Sequence, residues 1–465
     1  MGAGSIRVLV GSLENSILSL QEVHRFKNEI QIIDGHDRWD INYIADEIIT
    51  GINKGIEQYG SEIQSFGVDS WGVDFVLLDE KGSLLETPVA YRDARTEGMQ
   101  EKWEKLMNRE ETFRRTGINF YIFNSLLQLL AIKDNPILKK AKRILFIPNY
   151  IYNRLSGSTT NELSIASTSQ LLDVHSTQMD SKVLELLNIP SSIFGKITAP
   201  GQIIGEATLP ELSGKGIKAV SVCSHDTASA VAAIPAEETG FAFISTGTWC
   251  IVGVESDKPA LSDAALNNGF TNERGYGNTY RVLKNVLGLW LVQGLQKSFD
   301  NSYSFEELEK MAENAPSNSL YIDPEDASFF NPENMKTAFD NYFTRTGQSI
   351  PATPGEYVQC AYNSLCKSFA KCIGQLEQML EKEINVIHLI GGGSRSEYLC
   401  RTTANVCNKM VISGPVEGSG IGNIMVQAIA MGYIKDIKEG RRIVKQSFAC
   451  KRFDPAPIST NRRRT

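Results

Sequence analysis

Residues 221–235 read SVCSHDTASAVAAIP, and the one carboxylate in that stretch, Asp226, is the first candidate for chemistry. It follows the strand-like run IKAVSV (217–222) and opens a run of small residues suited to a helix. Two roles fit it. Aspartate is a preferred helix N-cap, accepting a backbone N–H of the first turn. A helix N-terminus also favours an ionised carboxylate, which leaves Asp226 able to accept a proton at neutral pH. The two roles are compatible. His225, beside it, is one of five histidines and reads as a hydrogen-bonded structural residue or as a catalyst. The others, His24, His36, His175 and His388, form no ligand pattern.

Other groups could do chemistry. Asp69 and Asp74 flank Ser70-Trp71-Gly72-Val73. Paired carboxylates serve as acid and base in glycoside hydrolysis; here they also fit as caps on a break between strands. Tyr91-Arg92-Asp93-Ala94-Arg95 sets two guanidiniums about one carboxylate, either as a structural ion pair or as the polar lining of a sugar pocket. Three small-residue turns adjoin strands: Gly2-Ala3-Gly4-Ser5, Ser245-Thr246-Gly247-Thr248 and Gly391-Gly392-Gly393-Ser394. Such turns let backbone amides approach a phosphate. Neither the P-loop nor the Rossmann glycine pattern occurs.

Elements must hold these residues in place. IRVLVGSL and SILSLQEVHRF read as strands, and 63–85 as two or three strands broken at Trp71–Gly72 and at the turn Asp79–Gly82. Helical patterns cover 98–116, 124–133 and 147–155. FAFIS (241–245) and WCIVGVE (249–255) make a hairpin about the Thr-Gly-Thr turn. Over 356–381, Val358, Tyr362, Leu365, Phe369, Ile373, Leu376 and Leu380 recur at the spacing of an amphipathic helix. NVIHLI (385–390) and MVIS (410–413) are strands, and helices are expected after the three glycines and near Ser419. Two successive mixed series predict an α/β protein of two lobes, divided near Pro235.

Composition narrows the function. With 465 residues there is sequence for two or three domains. A net charge of −7 argues against nucleic acid as the main partner. The basic cluster Arg462–Arg464 reads as a solvated tail. No apolar run is long enough for a membrane span, and the start lacks the features of a signal peptide. The eight cysteines form no C-x-x-C pair, so neither a zinc site nor a redox motif is indicated; free thiols in a reducing compartment, the cytoplasm, are expected. Cys366 and Cys372 read as small hydrophobes within a helix.

Taken together, FGVDSWGVDFVLLDEKGSLLETPVAYRDART, SHDTASAV, ISTGTW, YRVLKNVLGLWLVQ, HLIGGGS and GPVEGSGIGNI resemble the FGGY family of carbohydrate kinases, in order and over nearly the whole chain. WGVDFVLLD followed by AYRDAR matches the branch that acts on L-rhamnulose. The resemblance implies two ribonuclease-H-like lobes of the actin/hexokinase type with a cleft between them: residues 1–235 for the sugar and the base, 236–465 for the nucleotide. It implies Asp226 as catalytic base, and Gly72, His225, Thr227 and Asn285 beside it as sugar contacts. ATP contacts fall on Thr248, Gln293 and Gly392, with Ala3, Gly4, Ser5 and Arg7 as the first phosphate loop. The partners implied are a small ketose, ATP and Mg²⁺, and the chain is a monomer or homodimer.

The implied reaction is attack of the ketose carbon-1 hydroxyl on the γ-phosphorus. The family opens with a strand ending in Asp-Leu-Gly or Asp-Ile-Gly, whereas this sequence begins at that glycine, without the strand and its Mg²⁺-linked Asp. The sequence also stops soon after Phe453-Asp454-Pro455. Poor turnover is therefore an expectation, as is the alternative of a kinase-derived sugar-binding protein. A kinase for a related ketose such as L-fuculose is a further alternative.

Overall fold

The computed structural model describes residues 1–210, 212, 214–237 and 240–457; the Arg462–Arg464 cluster lies outside them. The chain groups into two compact units. The first comprises Met1–Glu237, Glu255–Val282 and Gly418–Ser447; the second comprises Glu238–Val254, Leu283–Glu417 and Phe448–Thr465. Segments 255–282 and 418–447, beyond the expected division near Pro235, thus group with the first unit.

In the first unit the two opening apolar runs form an antiparallel ribbon, Ser5–Glu14 with Ile17–Lys27. The helix Ile41–Tyr59 follows, capped by Asp40, whose carboxylate accepts from the Tyr43 amide at 3.0 Å. A separate three-stranded sheet runs Gln202–Glu206, Lys218–Ser221, Ser65–Phe66, the first pairing antiparallel and the second parallel. Lys218–Ser221 leads to the Asp226 helix, Asp226–Ala232, which packs on the helix Gly418–Ala430. Only glycine fits at Gly422, because a Cβ there would lie 1.8 Å from the Ser229 carbonyl oxygen. Trp39, Trp71, Leu145 and Tyr152 are buried in the core beneath the ribbon and the long helix.

One expectation changes here. The pattern over 98–116 forms two helices, Met99–Glu104 and Arg109–Thr116, because Asn108 starts the second by accepting from the Glu111 amide at 2.7 Å. Within 63–85 two strands form, Ser65–Phe66 and Phe75–Leu78, on either side of the expected break at Trp71–Gly72. Between them the chain leaves extended geometry at Val73, whose φ is +68°.

In the second unit the expected hairpin forms, Ala242–Thr246 antiparallel to Trp249–Ser256. Ala242–Thr246 also pairs in parallel with Val386–Gly391, and that strand pairs in parallel with Met410–Ser413. Lys451–Phe453 closes this side in antiparallel register. The amphipathic pattern is a helix over Pro354–Leu380, with Pro354 in its first turn and a capping box between Thr353 and Glu356. Six of its seven expected apolar positions are buried, and Leu380 is half-buried at the end. Each buried Leu, Ile or Phe contributes about 1.5–3 kcal/mol. None of the eight cysteines is in a disulfide. Among the described residues no helix is long and apolar enough to cross a membrane.

Candidate active site

Asp226 is the first residue of its helix rather than the cap. The cap position is His225, whose side chain makes no capping bond, so the N-cap reading of Asp226 fails by one residue. The loop is instead held by a short parallel bridge. The Ser70 amide donates to the Ser224 carbonyl at 2.8 Å, and the Asp226 amide donates to the Ser70 carbonyl at 2.9 Å. That bridge brings Trp71–Gly72 alongside His225–Asp226–Thr227. Thr227 Oγ1 donates to Asp226 Oδ1 at 3.1 Å, and the Asp226 side chain keeps 34% of its surface exposed. Asp226 faces a cavity of about 880 Å³ within the first unit, shared with Ser5, Arg7, Asp69 and Asn423.

His225 is held from behind. Its Nδ1 lies 2.9 Å from Glu273 Oε2, to which the fully buried Arg281 guanidinium also donates at 2.7 Å. Burial pushes the Glu273 carboxyl up, but Arg281 and His225 more than offset this and hold it down at about 2. His225 Nε2 is 3.7 Å from Asp226 Oδ1. The loop amides are anchored as well. Ser224 N donates to Glu162 at 3.0 Å and His225 N donates to Ser164 Oγ at 3.1 Å. Glu273 and Arg281 were not singled out from sequence, since each reads as an ordinary charged residue 48 or 56 positions from His225.

Asp69 and Asp74 part ways, and neither caps a strand break. Asp69 accepts from Asn423 Nδ2 at 2.6 Å and lies 3.4 Å from the Met1 ammonium. Burial raises its carboxyl against both pulls. Asp74 is 1% exposed and accepts four neutral donors. Trp39 Nε1 (2.7 Å), Trp71 Nε1 (2.9 Å) and the Tyr91 amide (3.2 Å) meet Oδ2, and Gln128 Nε2 (3.2 Å) meets Oδ1. Burial outweighs these four bonds and lifts Asp74 to about 6. Asp93 does not pair with the side chains of Arg92 and Arg95. It accepts from His36 Nδ1 at 3.1 Å and from the amides of Asp37 (2.9 Å) and Arg95 (3.0 Å). Arg95 donates instead to Gln128 Oε1 at 2.6 Å.

The first small-residue turn, at Ala3, Gly4 and Ser5, is tight: the Gly2 amide donates to the Ser5 carbonyl at 3.0 Å. Arg7 follows on the ribbon. In the second unit the other two turns meet. Thr246 Oγ1 donates to the Ile390 carbonyl at 2.6 Å and accepts from the Gly393 amide at 3.0 Å. Thr248 Oγ1 donates to Gln293 Oε1 at 3.4 Å, so Thr248, Gln293 and Gly392 belong to one neighbourhood. A Cβ on Gly391 or Gly393 would come within 2.6 or 2.8 Å of Thr246, whereas Gly392 faces open space. Asn285 lies on the strand Tyr280–Leu287 and groups with the second unit.

Comparison with known proteins places this geometry in context. Residues 1–233 match the N-terminal domain, and residues 242–431 the C-terminal domain, of the FGGY family of carbohydrate kinases. The chain is 40% identical over 461 residues to a rhamnulokinase of Bacillus subtilis (strain 168), covering 98% of this chain and 95% of that one. It is 37% identical to a rhamnulokinase of Bacteroides thetaiotaomicron, covering 99% and 95%. Among solved structures it is similar in fold to a ligand-bound xylulose kinase from Lactobacillus acidophilus, at TM-score 0.78 and 16% identity over 97% of this chain and 94% of that one. A Plasmodium falciparum glycerol kinase with ADP gives TM-score 0.80 at 16% identity, over 98% and 92%.

Proposed function

Since the chain belongs to the FGGY family of carbohydrate kinases, with the two-lobed fold of the actin/hexokinase type, we propose that it transfers the γ-phosphoryl group of ATP to the carbon-1 hydroxyl of L-rhamnulose. The observation that carries this reading is the half-exposed Asp226 carboxylate, held against Gly72 and His225 by the Ser70 bridge. The extent of likeness to the rhamnulokinases supports the choice of ketose.

In this reading the first unit carries the ketose and the base, and the second unit carries the nucleotide on Thr248, Gln293 and Gly392. Asp226 accepts the proton as the carbon-1 oxygen bonds to phosphorus and the bond to the bridging oxygen of ADP breaks. Such transfers depend on positioning and electrostatics more than on covalent help. His225, fixed through Nδ1 by Glu273, turns Nε2 towards the side where Asp226 acts, and Gly72 lies alongside the same loop. Ser5 and Arg7 line the cavity that Asp226 faces, and with Ala3 and Gly4 just before them they make up the phosphate loop of this reading. Among the described residues no group of three or more His, Cys, Asp or Glu side chains gathers as a metal cluster. Mg²⁺ needs none, since it takes one or two carboxylates with phosphate oxygens and waters. Asp69 and Asp226 line one cavity, but Asp69 is already met by Asn423 Nδ2 and the Met1 ammonium, so the pair as it stands does not make a cation site.

The test is a ketose panel of L-rhamnulose, L-fuculose, L-xylulose, D-xylulose and glycerol. L-Rhamnulose is expected to give the highest kcat/KM, and a higher value on any other substrate refutes the assignment. Asp226→Asn is expected to lower kcat by ~10² to 10⁴ with ATP binding retained. A kcat near that of the parent removes Asp226 as the base.

A further inference from the structure

Gly72 reaches His225 through a turn of unusual geometry. The Asp74 amide donates to the Gly72 carbonyl at 2.9 Å, closing a three-residue turn about Val73, whose φ is +68°. A γ-turn with a positive central φ is the rare, strained form. A β-branched residue in left-handed backbone is an outlier in its own right. Strain of this kind persists only where the surroundings over-determine it, and it concentrates at functional sites.

The surroundings here are complete. The Val73 amide donates to Thr168 Oγ1 at 3.1 Å. Its carbonyl accepts from Ser125 Oγ at 2.5 Å and from Gln128 Nε2 at 3.4 Å. The next residue, Asp74, binds both flanking indoles, Trp39 and Trp71, and Gln128 reaches Val73 and Asp74 together. A Cβ on Gly72 would sit 3.1 Å from Thr168 Oγ1, so that same threonine also limits the residue before the strained one. A turn needed only to reverse the chain would take glycine at position 73 at lower strain. This one instead ties the Gly72 carbonyl to the Asp74 amide, two residues beyond the Ser70–His225 bridge.

We propose that Val73 and Asp74 are positioning residues whose strained turn presets the Gly72 peptide for the ketose, and so govern ketose affinity without touching the reacting atoms. This rests on the reading of Gly72, His225 and Asp226 as the ketose site. In the same reading the nucleotide lies on Thr248, Gln293 and Gly392, so the two substrates should respond differently.

The experiment uses the full chain with L-rhamnulose and ATP, and three variants: Asp74→Asn, Val73→Gly and Asp226→Asn. Asparagine keeps the shape of Asp74 and still accepts its three Oδ2 donors. In Asp74→Asn and Val73→Gly the KM for ketose is expected to rise roughly tenfold or more, while the KM for ATP and kcat at saturating ketose stay within about threefold. A purely structural role would lower the melting temperature and leave both KM values alone. That result in Asp74→Asn, or a parallel rise in both KM values, overturns the inference even if Val73→Gly does not fold. Asp226→Asn separates the two levels. If it loses turnover while the turn variants keep the parent ketose KM, only the positioning role falls. If it keeps full kcat, the site reading falls and the inference falls with it.

Discussion

Asp74 and Glu273 are both buried carboxylates in the first unit, one behind Gly72 and the other behind His225. Their acidities move in opposite directions, to about 6 and about 2. Burial acts alike on both. The difference lies in the donors: two indoles, an amide side chain and a backbone N–H surround Asp74, whereas Arg281 and His225 face Glu273. Neutral dipoles satisfy a carboxylate's lone pairs without repaying the cost of removing its charge from water; a guanidinium repays it. The two regions also differ in backbone. Val73 stores on the order of 1–3 kcal/mol in its left-handed conformation, and among the described residues no positive φ is found from 270 to 276. One side of the loop is thus held by geometry and the other by charge.

The strongest test of that contrast removes the charge. Glu273→Gln leaves the Arg281 guanidinium buried without a counter-ion, and a loss of about 3–5 kcal/mol of unfolding free energy is expected in urea titrations. A loss below 1 kcal/mol would mean that the pair is not what holds this side.

Next in size are the acid arms of stability. Asp74 has a folded pKa above its unfolded value of 3.8, so its contribution is full below about pH 4 and is lost as pH rises to about 6. The shift corresponds to about 3 kcal/mol. Asp74→Asn should abolish that slope, as read from unfolding free energies of parent and variant between pH 4 and 7. Glu273 runs the other way. Its contribution is present above pH 4.5 and is lost as pH falls towards 2. In Glu273→Gln that acid loss should be missing. Together the two groups place maximum stability between the windows, near pH 4 to 5.

The smallest effect on stability is expected outside this pair. A side chain at Gly392 enters open space. Gly392→Val should therefore shift the unfolding free energy by less than about 0.5 kcal/mol, as at an ordinary surface site, while raising the KM for ATP. An unchanged KM in the folded variant removes Gly392 from the nucleotide site.

Much of the fold was legible because its signals are local. The hairpin about Thr246–Thr248 and the helix Pro354–Leu380 follow from alternation, a turn and a capping box within one stretch of chain. Part of the candidate site could be proposed for the same reason, since His225, Asp226 and Thr227 are consecutive. What could not be read was non-local or sterically improbable. Asp69 finds Asn423 354 positions away. Glu273 reaches His225 across 48 positions. No propensity argues for a valine at positive φ, so the break expected at Trp71–Gly72 was legible but the left-handed turn at Val73 that makes it was not. The placement of Asp226 just inside its helix, one residue past the cap, lies within the usual uncertainty of helix ends.

The cysteines carry a last consequence. Burial pushes the Cys372 thiol up to about 11, and those of Cys250, Cys360, Cys400 and Cys407 up to about 12. Thiolate, the form that reacts, is then scarce at neutral pH in the folded chain. An alkylating reagent must wait for the protein to open, so labelling becomes a clock for opening. Those five cysteines all belong to the second unit, while Cys223, buried and also raised, belongs to the first. Resolved peptide by peptide, one labelling time course would time the opening of each unit separately, and ATP or ketose should slow the clock of whichever unit it binds.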